Sequence, residues 1–256
     1  MTLPYSLDES DRRATLGLIV LQADETVDPD FRWLMPHGSV RLYPSRVHSP
    51  PEITMESLPT MQEALPAAIR LLPPAADIAV IGYACTSASA VLGEERVAEI
   101  VRTARPDVAV TNPLSALKAA CRALGIRRLA VVSPYVPDVS QSLIDRLEAA
   151  GIAVPTIASF GQKEERIVAR IAPASVHAAI LETARRTPCD AIFASCTNLR
   201  AVEVVAEAER TLGMPVLSSN LVLAWHMLRL AGIEDRLGCG GALSEVATLA
   251  EAAVSP

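Results

Sequence analysis

DIAVIGYACTS, residues 77–87, and DAIFASCTN, residues 190–198, are two segments with one pattern. Each begins with an aspartate, continues as a short aliphatic run and ends on Cys-Thr followed by a polar residue. Such aliphatic runs are typical of strands buried in a parallel sheet. The recurrence of Cys-Thr at the same point of both segments predicts two lobes of similar topology, each contributing one cysteine to a shared cleft.

Other aliphatic runs along the chain alternate with longer, Ala-rich helical patterns, which predicts parallel βαβ units. The predicted strands are Leu16–Leu21, Ser39–Tyr43, Ile78–Gly82 and Val108–Val110, followed by Leu129–Ser133, Ile152–Ile157, Ala191–Ala194 and Pro215–Leu217. The predicted fold class is therefore α/β, with two similar lobes that are each a parallel sheet flanked by helices. Residues 1–111 plus 215–256 are expected to form the first lobe and residues 112–214 the second, with the active site in the cleft between them.

The composition excludes several classes of protein. The 256 residues carry a net charge of −6 without a Lys/Arg block, so nucleic acid is not an expected partner. No apolar stretch is long enough to cross a membrane, and the first residues do not resemble a signal peptide, which predicts a cytoplasmic protein. The sequence has no dinucleotide fingerprint, P-loop or metal-ligand spacing, so neither a cofactor nor a metal is predicted.

Cys85 and Cys196 are the best candidates for catalysis among five cysteines, for which disulfides are not expected in a reducing compartment. Each follows a strand and precedes a helix, where backbone amides lower a thiol pKa and bind anions. The alternative is that they are small buried hydrophobic residues. Two opposed thiols can act as base and acid on the two faces of a carbon next to a carboxylate. Cys121, Cys189 and Cys239 lie in settings without this pattern.

These segments resemble the aspartate/glutamate racemase superfamily, within it the branch of maleate isomerases and arylmalonate decarboxylases. The resemblance extends over nearly the whole chain and includes LGLIVL (16–21), CTS (85–87), SPY (133–135) and SCTNLR (195–200). The CTSAS and SCTNLR pair is also similar to the ectoine-utilisation subgroup, which implies an N-acetylated diaminobutyrate as substrate.

The resemblance also implies roles for particular residues. Cys85 and Cys196 match the two catalytic cysteines, whereas decarboxylases of the branch have glycine at the first position. Residues that match the substrate-binding turns are Thr86, Ser87, Tyr135, Thr197 and Asn198. Gln162, in the loop Phe160–Gln162, is a weaker candidate for a position where isomerases use an asparagine.

Asp24 departs from the pattern of the maleate isomerases, which have an asparagine after the first strand. A carboxylate here would repel a dicarboxylate and attract an ammonium group. This favours a substrate with one carboxylate and a cationic or amide end. The alternative is that Asp24 caps the next helix or faces solvent.

The sequence therefore predicts a cofactor-independent racemase or epimerase that moves a proton at the carbon α to a carboxylate of an amino-acid derivative. The rival is a maleate-type cis–trans isomerase with a covalent cysteine adduct; an arylmalonate-type decarboxylase and a non-catalytic binding protein are lesser alternatives. The expected partner is a small carboxylate substrate. A homo-oligomer, dimeric or larger, is also expected, with the apolar helix Leu221–Leu230 as a candidate contact, and His226 on that helix is interpreted as a core or interface residue.

Overall fold

The computed structural model describes residues 2–6, 14–38 and 40–249. Ser39, where the second predicted strand begins, lies outside the described residues, as do the outermost residues of the predicted first lobe. Within the described ranges, no helix combines the length and the apolar character needed to cross a bilayer.

In the part of the chain that the structure describes, eight strands form two parallel sheets of four, which confirms the predicted fold class. The first sheet has the order β2-β1-β3-β4, with β1 (Ala14–Leu21), β2 (Val40–Val47), β3 (Ile78–Ala84) and β4 (Ala109–Thr111). The second has the order β6-β5-β7-β8, with β5 (Leu129–Tyr135), β6 (Ile157–Gln162), β7 (Ala191–Ala194) and β8 (Val216–Ser218). The two orders are the same, so the lobes repeat one topology.

Ten α-helices connect and cover these strands. They are α1 (Val27–Leu34), α2 (Met61–Arg70), α3 (Thr86–Leu92), α4 (Glu94–Ala104), α5 (Pro113–Leu124), α6 (Pro137–Ala149), α7 (Glu165–Val168), α8 (Pro173–Arg186), α9 (Val202–Leu212) and α10 (Ser219–Leu230) in the described part of the chain. The strands β1, β3, β5 and β7 are almost wholly buried, as expected for parallel strands covered on both faces.

One predicted strand is wrong in its position. The sixth strand was expected at Ile152–Ile157, but the structure places β6 at Ile157–Gln162. The mostly apolar segment 152–156 precedes the strand: Ile152 packs into the core after the turn that ends α6, and Ala153 forms only an isolated bridge with Arg128. The carboxyl end of this strand therefore lies five residues later than the sequence indicated.

The helix α10 does not provide the predicted subunit contact. Its large apolar side chains, Trp225 among them, are buried within the chain, and the helix packs on α5, β3, β4 and α1. It approaches β3 so closely that a Cβ atom on Gly82 would lie 2.5 Å from the sulfur of Met227. His226 is partly buried, with Nδ1 2.7 Å from the hydroxyl of Thr111.

The boundaries of the two lobes remain a prediction. The strand β8 pairs with β7 in the second sheet, and α10, which follows it directly, packs against β3 and β4 of the first. The chain therefore passes from one lobe to the other near Ser218, so that β8 and α10 help to hold the lobes together.

Candidate active site

Cys85 lies directly after β3 and forms the N-cap of α3. Its Sγ accepts a hydrogen bond from the backbone amide of Ala88 at 3.4 Å, and the residue is buried. Burial raises the pKa of this thiol to about 12, and the bond from Ala88 opposes that rise. In the free protein Cys85 is therefore a neutral thiol beside a group that favours its thiolate.

Cys196 lies two residues after β7, in an unusual backbone conformation. Among the described residues other than glycine it alone has a positive φ, 105°. Such a conformation costs about 1–3 kcal/mol and persists only where the surroundings enforce it. Here the Cys196 amide donates to Ser219 Oγ at 2.9 Å, and the amide of Asn198 donates to Cys196 Sγ at 3.3 Å.

The two cysteine turns are joined to each other by hydrogen bonds. Ser219 Oγ accepts from the amide of Cys196 and lies 2.8 Å from Thr86 Oγ1, next to Cys85. The hydroxyl of Thr197 donates to the carbonyl of Ala84 at 3.3 Å. The fold therefore brings together Cys85 and Cys196, which are 111 positions apart in the sequence.

Replacing Ser219 with alanine is expected to lower the free energy of unfolding by about 1–3 kcal/mol, because the buried amide of Cys196 would lose its acceptor. Urea unfolding measures this change. The control is Ser87→Ala, in the first turn of α3 but only half-buried, which is expected to stay within about 0.5 kcal/mol of the wild type. Equal losses of unfolding free energy in Ser219→Ala and Ser87→Ala would show that the hydrogen bond from the Cys196 amide to Ser219 does not stabilise the fold.

Asp24 lies three residues after β1, and its two carboxyl oxygens have different surroundings. Oδ1 accepts from the amides of Thr26 and Val27, both at 2.8 Å, and so caps the start of α1. Oδ2 is buried without a hydrogen-bond partner within bonding distance among the described residues, and Asp24 is only 2% exposed. The helix-capping alternative is therefore correct for one oxygen and the solvent-facing alternative is wrong. Burial raises the pKa of this carboxyl.

Asn198 joins the Cys196 turn to the loop after β1. Its Oδ1 accepts from the amide of Glu25 at 2.9 Å, and its backbone carbonyl accepts from the hydroxyl of Thr26 at 2.9 Å. Its Nδ2 donates to a carboxylate oxygen of Glu165 at 2.5 Å. Asn198 is therefore held from three sides by residues of both lobes.

Glu165, at the start of α7, is a site residue that the sequence did not indicate. It is buried, and besides Asn198 it accepts a short hydrogen bond from the hydroxyl of Tyr135. The same hydroxyl lies 3.1 Å from Cys196 Sγ. Burial raises the pKa of Glu165 to about 7, while the bonds from Tyr135 and Asn198 lower it.

Gln162 does not join this cluster. Its amide donates to the carbonyl of Phe160 at 3.0 Å, and among the described residues its side chain bonds to none of the other candidates. The misplaced sixth strand explains why Glu165 was missed. With β6 ending at Gln162, Glu165 falls three residues after a strand end, where ligand-binding residues of parallel sheets gather.

The assembled site holds two thiols, a phenol, two carboxyl groups and several neutral hydrogen-bonding groups. The pKa of the Cys196 thiol is raised well above 9, first by burial and then by the charge of Glu165. Arg46 donates to the backbone carbonyl of Asp24 rather than to its carboxyl group. Within the described residues the site therefore carries an excess of acidic groups.

Comparisons with known proteins agree with this architecture. The sequence profile of the arylmalonate decarboxylase family matches residues 16–244. A stretch of 112 residues is 33% identical to the arylmalonate decarboxylase of Bordetella bronchiseptica, over 43% of this chain and 47% of that protein. The chain is 26% identical over 224 residues to a maleate isomerase of Nocardia farcinica, over 84% of this chain and 88% of that protein.

A solved structure is similar over most of its length. It is a cysteine-to-serine mutant of the maleate cis-trans isomerase of Nocardia farcinica, with a covalently bound succinylcysteine intermediate. The TM-score is 0.80 at 25% identity, and the match covers 91% of this chain and 98% of the other. The two-lobed arrangement is thus shared with a protein in which a cysteine forms a covalent bond.

Proposed function

The chain belongs to the arylmalonate decarboxylase family, and we propose that it is a cofactor-independent isomerase, a racemase or epimerase acting at the carbon α to the carboxylate of an amino-acid derivative. The observation that carries this proposal is the joining of the two cysteine turns through Ser219 and Thr86. The two thiols follow β3 and β7, one in each lobe, and can approach one carbon from opposite faces. A mechanism that needs only one thiol, as in a decarboxylase, would give Cys85 no role in catalysis.

In the proposed reaction one cysteine, as thiolate, takes the proton from carbon α, and the other, as thiol, returns a proton to the opposite face. The planar intermediate carries its charge on the carboxylate oxygens. Hydroxyl and amide groups of the two turns are the donors that would stabilise it, whereas the hydroxyl of Tyr135 already donates to Glu165. After one turnover the thiolate and the thiol have exchanged places, so both stereoisomers are substrates.

Acidic groups favour a substrate that carries an amino group. Asp24 leaves one buried carboxyl oxygen without a partner, and Glu165 is a second buried carboxyl within its electrostatic reach. A dicarboxylate would meet repulsion here, whereas an ammonium group would be attracted. An N-acetylated diaminobutyrate, as the ectoine-utilisation subgroup implies, has one carboxylate and an amide in addition to its amine.

The second candidate is a maleate-type cis–trans isomerase with a covalent cysteine adduct. The succinylcysteine in the Nocardia farcinica structure favours it, because the same fold there supports attack of a sulfur on a carbon. Mass spectrometry of the intact protein during turnover separates the two mechanisms. Deuterium incorporation at carbon α without an adduct supports the racemase, and a stable thioether adduct with maleate supports the isomerase.

Asp24→Asn is expected to lower kcat/KM for N-acetyl-2,4-diaminobutyrate by about 10- to 100-fold and to improve binding of maleate, because the variant keeps the helix-capping oxygen but loses the charge. Chiral chromatography measures the first effect and calorimetry the second. The control is Glu25→Gln, the next residue, whose side chain is exposed and paired with Arg170; it is expected to change neither value by more than about twofold. Rapid turnover of maleate by the wild type would overturn the racemase proposal.

A further inference from the structure

Glu165 has both carboxyl oxygens bound by uncharged donors. The hydroxyl of Tyr135 donates to Oε1, and Nδ2 of Asn198 donates to Oε2 at 2.5 Å. Among the described residues no lysine or arginine pairs with Glu165, although burial without a counter-charge is costly for a carboxylate. Burial raises the pKa of Glu165 to about 7, so near neutral pH this carboxyl exchanges between its acid and its carboxylate form, and a cation beside it would favour the carboxylate.

The same two donors connect Glu165 to Cys196. Besides donating to the carboxylate, Tyr135 lies 3.1 Å from Cys196 Sγ, and the backbone amide of Asn198 donates to this sulfur at 3.3 Å. Glu165 is therefore linked to Cys196 Sγ through a single intervening residue in two ways, once through Tyr135 and once through Asn198. Any change in its charge acts directly on Cys196.

Asp24 supplies an independent observation. Its Oδ2 is buried and has no hydrogen-bond partner in the described part of the chain. The charges of Asp24 and Glu165 both oppose ionisation of Cys85 and of Cys196. The titratable groups that face one another in this cluster are two carboxyls, two thiols and Tyr135, with Tyr83 beside Cys85. Burial raises the pKa of Asp24, a hydrogen bond from Thr197 and the charge of Arg46 lower it, and besides burial the charge of Asp24 raises the pKa of Asp30.

We propose that Glu165, together with Asp24, receives the ammonium group of the substrate, and that this cation permits a cysteine of the pair to ionise. The inference rests on the proposed function, since it supposes a substrate with an amino group. It makes Glu165 a determinant of specificity. A substrate without a cation would enter a site whose thiols stay protonated.

The proton balance of this step is simple. On binding of the ammonium group, one thiol loses its proton to bulk water and becomes a thiolate, and no other bond forms or breaks. That thiolate then accepts the proton from carbon α, while the second thiol donates its own. No oxidant, reductant or further reactant is required.

The test is an NMR titration of the cysteine Cβ shifts, which report thiol ionisation in buried residues independently of turnover. The protein carries isotope-labelled cysteine, and the probes are Nγ-acetyl-2,4-diaminobutyrate, with a free α-ammonium group, and maleate. The first probe is expected to move the midpoint of ionisation of Cys85 or Cys196 down by about 1–3 pH units, and maleate is not expected to lower it.

Glu165→Gln is expected to lower the midpoint of Cys196 by about one pH unit in the free protein and to reduce the further shift that the cationic probe causes. The control is Glu164→Gln, next to it but paired with Arg166 on the surface, which is expected to behave as the wild type. If Glu165 only supported Tyr135 and Asn198, the cationic probe would lower the midpoint of Cys196 in the variant as much as in the wild type.

Failure of this inference is distinguishable from failure of the proposed function. Turnover of the amino-acid probe with unchanged cysteine midpoints would overturn the role of Glu165 and leave the racemase proposal standing. A downward shift with the probe but no exchange at carbon α would support the role of Glu165 and overturn the racemase. The wild-type titration decides the question even if Glu165→Gln does not fold.

Discussion

Replacing either Cys85 or Cys196 with alanine is expected to lower turnover by about 10³-fold or more, because each variant lacks either the base or the acid of the proposed reaction. The loss applies to whichever substrate the wild type accepts, since a covalent isomerase also needs a nucleophile and a proton donor. Chiral chromatography with the amino-acid derivative, and absorbance with maleate, measure it.

Cys121→Ala is the matched control for both variants. Cys121 is as deeply buried as the two site cysteines, but it lies on α5, outside the cluster. All three substitutions remove one buried sulfur, so their costs in stability are expected to be similar, about 1–2 kcal/mol. Cys121→Ala is expected to keep activity within about twofold. Retention of more than about a tenth of the activity by Cys85→Ala would exclude the two-thiol mechanism.

Asp30→Asn is expected to stabilise the protein above pH 7 by about 3 kcal/mol. Burial raises the pKa of Asp30 from 3.8 to about 7, and the charge of Asp24 adds to the rise. The folded protein therefore binds this proton to a higher pH than the unfolded chain does. Stability falls as the pH rises from about 4 to about 7, and the full cost, on the order of 4 kcal/mol, is present above that range.

Asparagine removes that cost and offers a new hydrogen bond. Asn220 Nδ2 donates to Asp30 Oδ2 at 2.7 Å, whereas Asn220 Oδ1 is buried without a partner among the described residues. The amide of an asparagine at position 30 can donate to this oxygen. Urea unfolding at about pH 8 and about pH 4 is expected to show a large gain at the higher pH and little at the lower.

The control for this prediction is Asp28→Asn on the same helix. Asp28 forms an ion pair with Arg46 that is open to solvent, so its loss is expected to change stability by at most about 1 kcal/mol at either pH. A gain in Asp30→Asn that is the same at both pH values would show that the new hydrogen bond, and not the buried charge, causes it.

Local patterns made most of the fold predictable. Cys85 follows β3 directly and Cys196 follows β7 after Ser195, because each of these aliphatic runs forms a buried strand up to its carboxyl end. The sixth strand was misplaced because Ile152–Ile157 is as apolar as a strand although only its last residue belongs to one. Apolar side chains can pack into the core from a loop as well as from a strand, so an apolar run alone does not distinguish the two.

The site was predictable only in part, for a related reason. The candidate residues at strand ends follow from the parallel topology, which gathers all carboxyl ends on one edge of each sheet. Glu165 and Ser219 also follow strand ends, but the misplaced sixth strand concealed Glu165, and no neighbouring residue indicates that Ser219 binds the amide of Cys196. Their contacts with Tyr135 and Cys196 span 30 and 23 positions, and nothing in the neighbouring residues specifies them.

By itself the sequence determined the α/β class, the two similar lobes and the position of both cysteines, because hydrophobic periodicity and strand-end residues act over a few neighbours. The tertiary structure alone decided that the predicted shared cleft of Cys85 and Cys196 is buried and that Glu165 lies beside the second sulfur. It also decided that α10 lies inside the chain and is not free for a partner. These features depend on hydrogen bonds and packing between distant segments, and burial then sets the charges of Asp24, Asp30 and Glu165.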